Sequence, residues 1–347
     1  MTTMRRAAGA VLALLLFVPA ACRDTPDAEA SSENGGGTTE VTLAVGGQVA
    51  LPVLPSILAN ELGFYEDEGI ELKIEDFEGG SEALQSLLGG SADVVSGFYD
   101  HTIQMAAQNR SLQAFVTMQQ YPGLVLAASP AKDDVTSLED LDGGVVGVSA
   151  PGSSTDLFLK YLLAQNGMEP DAASVVAIGT TSTAVAAMEK GKVDAAVMVE
   201  PAVSVLEQRA GGLDILADTR TAEGVEEVFG TAMYPGAVLY TTSEWLENNR
   251  ETVGKLARAV ARALEWISTH SPEEVMEAMP ESFQGGDPEG YLQGITKTIP
   301  MYTQDGAMQE EGATAVHEVL SLSVPEVADA DVDLSQTYTN EFVEDDG

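Results

Sequence analysis

An alternation of strand and helix patterns, made twice along the chain, restricts the fold more than any other feature. From Glu40 onward, apolar runs such as "VTLAVG" and "ADVVSGF" alternate with helical patterns that end at glycine. The second half repeats this order, with Gly167 and Asp194 in the places of Gly63 and Asp93. Such β-α-β units need a parallel or mixed sheet with helices on its faces. The sequence therefore predicts an α/β protein of two lobes that share one design.

Two apolar runs connect the predicted lobes. "YPGLVLAAS" (Tyr121–Ser129) is expected to be a strand that leaves the first lobe, and "MYPGAVLYTTSEW" (Met233–Trp245) a strand that returns to it. Two crossover strands between two α/β lobes form a hinge with a cleft. The hinge is expected near Leu126–Ser129 and Tyr234–Leu239. The expected division is 41–127 for the first part of lobe 1, 128–232 for lobe 2, and 233–347 for the return to lobe 1, where helices, one of them capped by Ser243, pack back on it.

The N-terminal residues predict export. Arg5 and Arg6 precede a short apolar run that ends in small residues, so residues 1–21 are interpreted as a secretory signal, too short to span a bilayer. Cys22, the only cysteine, follows directly and resembles the lipidated residue of bacterial lipoproteins; the alternative is an ordinary cleaved signal with an incidental cysteine. Residues 22–40 are polar and glycine-rich, as in a flexible tether. We expect a location on the outer face of the cell membrane, lipid-anchored, or in the periplasm.

The composition excludes several functional classes. With 55 acidic and 16 basic residues the formal net charge is -39, which excludes nucleic acid as a partner and indicates a salt-adapted or highly soluble surface. A P-loop and a complete G-x-S-x-G elbow are both absent from the sequence, and the three histidines lack partners at metal-ligand spacing. We therefore expect that the protein is not an enzyme and needs neither cofactor nor metal. It is also expected to be a monomer.

Several segments in a fixed order carry a family resemblance. They are "LANELGFYEDEGIEL", "GGSEALQSLLGGSADVVSG", "GVSAPGSSTDLFLKYLLAQNG" and "MEKGKVDAAVMVEPAV", followed by the helices after the hinge. Together they resemble the solute-binding proteins of ABC importers, within the nitrate, taurine and aliphatic-sulfonate group that also includes binders of the thiamine pyrimidine precursor. The resemblance covers about residues 41–324. It implies the type II periplasmic-binding-protein fold, a small solute in the cleft, and permease and ATPase subunits as partners; the alternative role is that of a solute sensor.

The predicted ligand site lies at the loops that follow the strands, because open α/β sheets bind ligands at the carboxyl ends of their strands. These loops contain Asp100, His101 and Glu200 but no lysine or arginine. A ligand with an amino, amide or ring-nitrogen end is therefore favoured, and both an aminosulfonate such as taurine and a pyrimidine fit. The candidate ligand-binding residues are Gln48, Ser81, Tyr99, Asp100, His101, Tyr121, Ser153, Ser154, Thr155, Thr181, Glu200 and Tyr234.

Alternative roles remain open for some of these residues. The tyrosines could form an aromatic wall or belong to the core, His101 could be a capping residue, and Glu200 could form a hinge salt bridge. In "SAPGSSTDLF" the hydroxyl residues could cap a helix, act as a nucleophile or cradle an anion. Ser153 and Asp156 fit a capping box, and the nucleophile reading lacks a base. The cradle is favoured, although Asp156 would repel an anion unless it turned into the cap.

Overall fold

The computed structural model describes residues 38–343. The predicted signal segment, Cys22 and nearly all of the predicted tether lie outside the described residues, so the expectations about them stay predictions. Within residues 38–343, none of the helices combines the length and the apolar character that crossing a membrane requires.

Ten strands and fourteen α-helices make up the described chain. The strands are β1 (Thr39–Gly46), β2 (Ile70–Phe77), β3 (Val94–Phe98), β4 (Leu112–Thr117), β5 (Val125–Ala128), β6 (Val145–Val148), β7 (Ser174–Ala177), β8 (Ala195–Met198), β9 (Ile215–Asp218) and β10 (Ala237–Thr242). The helices are α1 (Leu54–Glu61), α2 (Phe64–Asp67), α3 (Gly80–Leu88), α4 (Asp100–Ala107), α5 (Ser154–Gln165), α6 (Ser182–Glu189), α7 (Ala202–Ala210), α8 (Ala222–Phe229), α9 (Ser243–Asn248), α10 (Arg250–Thr269), α11 (Pro272–Ala278), α12 (Pro288–Thr298), α13 (Glu310–Ser323) and α14 (Pro325–Ala328).

The strands form two five-stranded sheets with the same plan. The first has the order β2-β1-β3-β10-β4 and the second β7-β6-β8-β5-β9. In each sheet the first three strands are parallel, and the fourth strand is antiparallel to both of its neighbours. That fourth strand directly follows a crossing between the lobes. Each lobe is therefore completed by a strand that enters from the other lobe.

Equivalent aspartates show the repeat at atomic level. Asp93 precedes β3, and its carboxylate accepts a hydrogen bond of 2.8 Å from the backbone N–H of Thr42 on β1. Asp194 precedes β8, and its carboxylate accepts one of 2.7 Å from Val145 N–H on β6. In both cases the aspartate N–H donates back to the same strand residue, at 2.9 and 2.8 Å. The matched aspartates therefore fix the same strand register in each lobe.

The crossings between the lobes lie at other positions than the sequence predicts. Leu126 and its neighbours on β5 already pair with β8 and β9 of the second sheet, so the first crossing is 118–124 and the expected boundary at 127/128 is wrong. The return crossing is 230–236, before β10. The two crossings are bonded to each other, with Gly236 N–H donating to Gln119 O at 3.1 Å. An apolar strand pattern does not specify which sheet the strand joins.

The helices after β10 contact both lobes. The long amphipathic α10 covers the outer face of lobe 1 against α1 and α2. In contrast to the prediction, α12 packs against α7 and α13 against α5, both in lobe 2. One apolar core runs from lobe 1 into lobe 2 and includes residues of α13. The C-terminal helices therefore lie along both lobes.

Side-chain hydroxyls cap two of the helices that follow β10. Ser271 forms a capping box at the start of α11. The α9 helix is capped by Thr242, whose hydroxyl accepts from Trp245 N–H at 3.1 Å, and not by Ser243. The chain enters this helix one residue earlier than predicted, since Thr242 still has extended backbone angles.

A matched pair of leucine substitutions tests the packing of α10. Leu256 is 1% exposed and Leu322, on α13, is 62% exposed. We expect Leu256→Ala to lower the free energy of unfolding by about 2–5 kcal/mol, because it leaves a cavity between α10 and the sheet. Leu322→Ala should change it by about 0.5 kcal/mol or less. Urea unfolding followed by circular dichroism measures both; equal losses would contradict the described burial.

Candidate ligand-binding cleft

Strands of both sheets end at one small cavity between the lobes. Its volume is about 40 Å³. The lining residues are contributed by both lobes and are Gly46, Ala50, Pro52, Val53, Gly80, Ser96, Gly97, Phe98, Leu124, Ser149, Ser153, Ser154, Thr155, Thr180 and Val199. Such a volume holds about one water molecule, so a larger solute requires the lobes to move apart. The predicted location at the carboxyl ends of the strands agrees with this geometry.

Ser153 connects the two lobes directly. Its Oγ accepts a hydrogen bond from Ser81 N–H at 2.9 Å and donates to Ser81 Oγ at 3.1 Å. The Ser81 hydroxyl in turn donates to Pro151 O at 3.0 Å. The predicted capping box is wrong, because the Ser153 side chain accepts no N–H of α5. The hydroxyl serves the contact between lobes instead.

Ser154 makes the second polar contact between the lobes. Its hydroxyl donates to Asp100 Oδ1, at the start of α4, at 2.8 Å, and both side chains are buried. Burial raises the pKa of Asp100 above its usual range, while His101 and the Ser154 hydroxyl oppose that rise. Asp100 is therefore a buried carboxyl group whose partner comes from the opposite lobe.

The remaining polar residues of this turn are bonded within lobe 2. Thr155 Oγ1 accepts from Ser149 N–H at 3.0 Å and lies 2.8 Å from Ser149 Oγ. Asp156 Oδ2 accepts from Gly152 N–H at 2.7 Å and from Lys160 Nζ at 2.9 Å. The Asp156 carboxylate is thus turned into the loop and paired with Lys160. It therefore repels an anionic ligand in the cleft less than the sequence alone suggests.

Glycines allow the lobes to approach this closely. A Cβ atom at Gly79 would lie 2.7 Å from Ala150 Cβ of lobe 2, and one at Gly47 would clash with the Thr180 hydroxyl. Gly47 also has a φ angle of +94°, which favours glycine. These glycines were within the predicted loops but not among the predicted site residues. In the sequence these positions can be recognised from two Gly-Gly pairs, one at the end of β1 and one shortly after β2.

Glu200 is held by a basic residue that the sequence analysis missed. Its Oε1 accepts from Arg220 Nη1 at 2.8 Å and from Ser204 Oγ at 2.9 Å. Arg220 also contacts Asp218, with Nη2 and Oδ2 2.6 Å apart. The side chain of Glu200 thus forms a buried salt bridge, the alternative considered from the sequence. The pairing joins residues 20 positions apart and has no local sequence signal.

Three predicted aromatic or imidazole side chains are engaged elsewhere. Tyr99 O–H lies 2.5 Å from Thr337 Oγ1 near the C-terminus. Tyr234 stacks on Phe229 with ring centroids 4.1 Å apart. The buried His101 lies behind Gly80, with Nδ1 3.2 Å from Tyr240 Oη. Their rings belong to the walls around the cleft and not to the cavity lining.

The other predicted residues lie outside the cavity lining. Gln48 is anchored through its backbone N–H, which donates to Asp76 Oδ1 at 2.8 Å. Tyr121 packs against the shared core. Thr181 lines a different cavity, of about 160 Å³, beside α7 and α12. Of the twelve candidates the structure therefore places Ser153, Ser154 and Thr155 in the lining and brings Ser81 and Asp100 against them. Within residues 38–343, no cluster of three metal-ligating side chains occurs.

Comparisons with known proteins identify the relatives of this chain. A family model described as NMT1/THI5 like matches residues 52–275. The protein YtlA of Bacillus subtilis, named as a binding protein, is 24% identical over 245 residues, which are 68% of each chain. A solved structure from Bordetella bronchiseptica RB50 is 35% identical with a TM-score of 0.83, over 88% of this chain and 96% of that one.

A more distant structure is the alkanesulfonate-binding protein SsuA of Xanthomonas axonopodis pv. citri, bound to MOPS. It is 15% identical with a TM-score of 0.68, over 88% of this chain and 99% of that one. These likenesses confirm the predicted type II periplasmic-binding-protein fold. The relatives that carry names are named as binding proteins.

The buried carboxyl group predicts a pH-dependent difference between the protein and its Asp100→Asn variant. A carboxyl group whose pKa is raised by folding makes its full contribution to stability below its unfolded pKa, and this contribution is lost as the pH rises through the folded pKa. We expect Asp100→Asn to have the higher free energy of unfolding at pH 7, because no charge is buried. The difference should vanish once the pH falls below the usual aspartate pKa, near 3.8.

Denaturant unfolding at a series of pH values measures this difference. Asp171→Asn, at an exposed position, is the control and should match the unmodified protein at every pH. A constant difference between Asp100→Asn and the unmodified protein across the series would contradict the raised pKa.

Proposed function

The chain belongs to the NMT1/THI5-like family, and from this premise we propose that it is the solute-binding component of an ABC importer. It captures a small organic solute between its two lobes and delivers it to the permease and ATPase subunits. The export pattern at residues 1–21 and the lipoprotein-like Cys22 support a place on the outer face of the membrane.

One observation carries this proposal, namely that the cavity is closed by polar contacts between lobes. The Ser153–Ser81 and Ser154–Asp100 hydrogen bonds exist only while the lobes touch. When the lobes separate, these groups need other partners, and a solute with donors and acceptors in the right places supplies them. Binding and closure are then coupled, because the solute has its full set of contacts only in the closed form.

The cavity chemistry favours a dipolar solute. The helices α3 and α5 begin with the lining residues Gly80 and Ser154, and α4 begins at Asp100, which contacts Ser154. Free N–H groups at helix N-termini favour a negative group. Among the described lining residues there is neither lysine nor arginine, and the nearby carboxyl group of Asp100 accepts hydrogen bonds. An aminosulfonate fits this arrangement, with its sulfonate at the hydroxyls and helix starts and its ammonium group at Asp100.

A pyrimidine is the second candidate solute. Phe98 provides one aromatic ring in the lining, against which a planar ring can stack. The small cavity volume favours the aminosulfonate, because a planar ring needs a wider separation of the lobes than a compact chain of a few atoms.

Small-angle scattering with a panel of solutes tests the proposed function. The panel contains taurine, ethanesulfonate, an aminopyrimidine and small carboxylates. We expect taurine to lower the radius of gyration relative to the solute-free protein in solution, because a solute that contacts both lobes holds them nearer to each other than they stand in the open form. A radius that no member of the panel changes, together with no bound solute in mass spectrometry of gently purified protein, would contradict capture in the cleft.

The Asp100 contact predicts a selective loss of affinity. We expect Asp100→Asn to weaken taurine binding about tenfold or more, because an amide replaces the charged acceptor of the ammonium group. Ethanesulfonate, which lacks that group, should bind the variant at least as well as the unmodified protein. Isothermal titration calorimetry measures both solutes, with Asp171→Asn as the control. Equal losses for the two solutes would exclude an ammonium contact at Asp100.

A further inference from the structure

Arg220 is a buried arginine between the lobe crossing and the lobe contact. It is 9% exposed, and its guanidinium bridges Glu200 and Asp218. A buried ion pair is weak evidence for stability, since the desolvation of both charges opposes their attraction. The position of the pair therefore needs another explanation.

The residue before Arg220 is fixed to the first crossing between the lobes. Thr219 N–H donates to Leu124 O at 3.0 Å, and Leu124 N–H donates to Thr219 Oγ1 at 2.8 Å. Gly123 N–H donates to Thr219 O at 3.3 Å. A rotation of the crossing therefore carries Thr219, and with it the backbone of Arg220.

The other end of the ion pair reaches lobe 1. The backbone carbonyl of Glu200 accepts a hydrogen bond of 2.9 Å from Leu51 N–H, which belongs to lobe 1. The Glu200 side chain is fixed by Ser204, whose N–H and hydroxyl both donate to it at 2.9 Å, and by Arg220. The residue whose carbonyl meets lobe 1 is thus also the residue whose side chain is held by the salt bridge.

We propose that Arg220 is a positioning residue for lobe closure. It links the crossing at Leu124 to the Glu200–Leu51 contact, so that the hinge and the contact change together. Arg220 itself is not among the residues that line the cavity. This inference rests on the proposed function, in which closure accompanies solute capture. The competing explanation is that the ion pair stabilises lobe 2 alone.

A cysteine pair across the cleft reports closure without any solute. The Oγ atoms of Ser81 and Ser153 are 3.1 Å apart, so Ser81→Cys and Ser153→Cys place two thiols within reach of a disulfide when the lobes meet. The parent protein for this test also carries Cys22→Ser, which removes the only native cysteine. The rate of cross-linking under mild oxidation then measures how often the lobes are closed.

Three changes are compared in this parent. Arg220→Met removes the guanidinium and leaves Glu200 buried without its charge partner. The double change Arg220→Met with Glu200→Gln leaves no unpaired buried charge, so its thermal midpoint should return toward that of the parent. Lys132→Met removes another lobe 2 ion pair, with Asp194, that lies away from the crossing.

We expect Arg220→Met and the double change to slow cross-linking about fivefold or more, and Lys132→Met to leave the rate unchanged. A rate that recovers together with stability in the double change would overturn the proposal, because the pair would then only stabilise lobe 2. The proposal is also overturned if Arg220→Met cross-links at the parent rate, or if Lys132→Met slows cross-linking as much as Arg220→Met does. A parent that forms no cross-link contradicts the lobe contact and this proposal with it.

The outcome is separable from that of the proposed function. Solute capture is tested on the unmodified protein, by scattering and mass spectrometry with the solute panel. If no member of the panel binds there, the proposed function fails, while the comparison of the three changes without solute still decides the role of Arg220.

Discussion

The hydrogen bonds that Ser153 and Ser154 make to the opposite lobe are the interactions on which the rest of the structure depends. Both residues lie at the start of α5, where helices commonly use such hydroxyls for their own N–H groups. Here the hydroxyls of Ser153 and Ser154 form hydrogen bonds with Ser81 and Asp100 instead. A helix start whose polar groups are satisfied across a cleft is sensitive to what occupies that cleft. The glycines at Gly47 and Gly79 make this arrangement possible, since any side chain there would keep the lobes apart.

Most of the carboxylates near the cleft are paired with a basic side chain, and Asp100 is the exception among those discussed. Within the described chain, Asp156 is paired with Lys160 and Glu200 with Arg220, whereas Asp100 has no lysine or arginine partner. In a protein with a net charge of -39, this pairing limits the number of carboxylates that act on the cavity. In the proposed ligand site, helix N-termini supply the positive end and Asp100 the acidic end. The arrangement is suited to a solute that carries both a negative and a hydrogen-donating group.

The fold could be predicted from the sequence to a large extent, while the site could be predicted only in part. Alternating apolar runs and glycine stops are local signals, so the run "VTLAVG" predicted the strand that ends at Gly46, and the two lobes were recognised from their repeat. Side-chain direction depends on partners far away in the chain. Tyr99 follows a buried strand but bonds to Thr337, and Glu200, a predicted ligand residue, is paired with Arg220. No spacing rule connects such positions. The strand β5 was assigned to the wrong lobe for a similar reason, since its pattern is the same in either sheet.

A crystal structure of the protein grown with taurine is the sharpest test of the proposed ligand site. We expect density for one solute between the lobes, with its sulfonate at Ser153–Thr155 and its amino group within hydrogen-bond distance of Asp100. The Ser154–Asp100 distance, 2.8 Å here, would then increase as the solute takes its place between the two side chains. Density for the solute outside the cleft, or a cleft that still has the direct Ser154–Asp100 bond at saturating taurine, would contradict it.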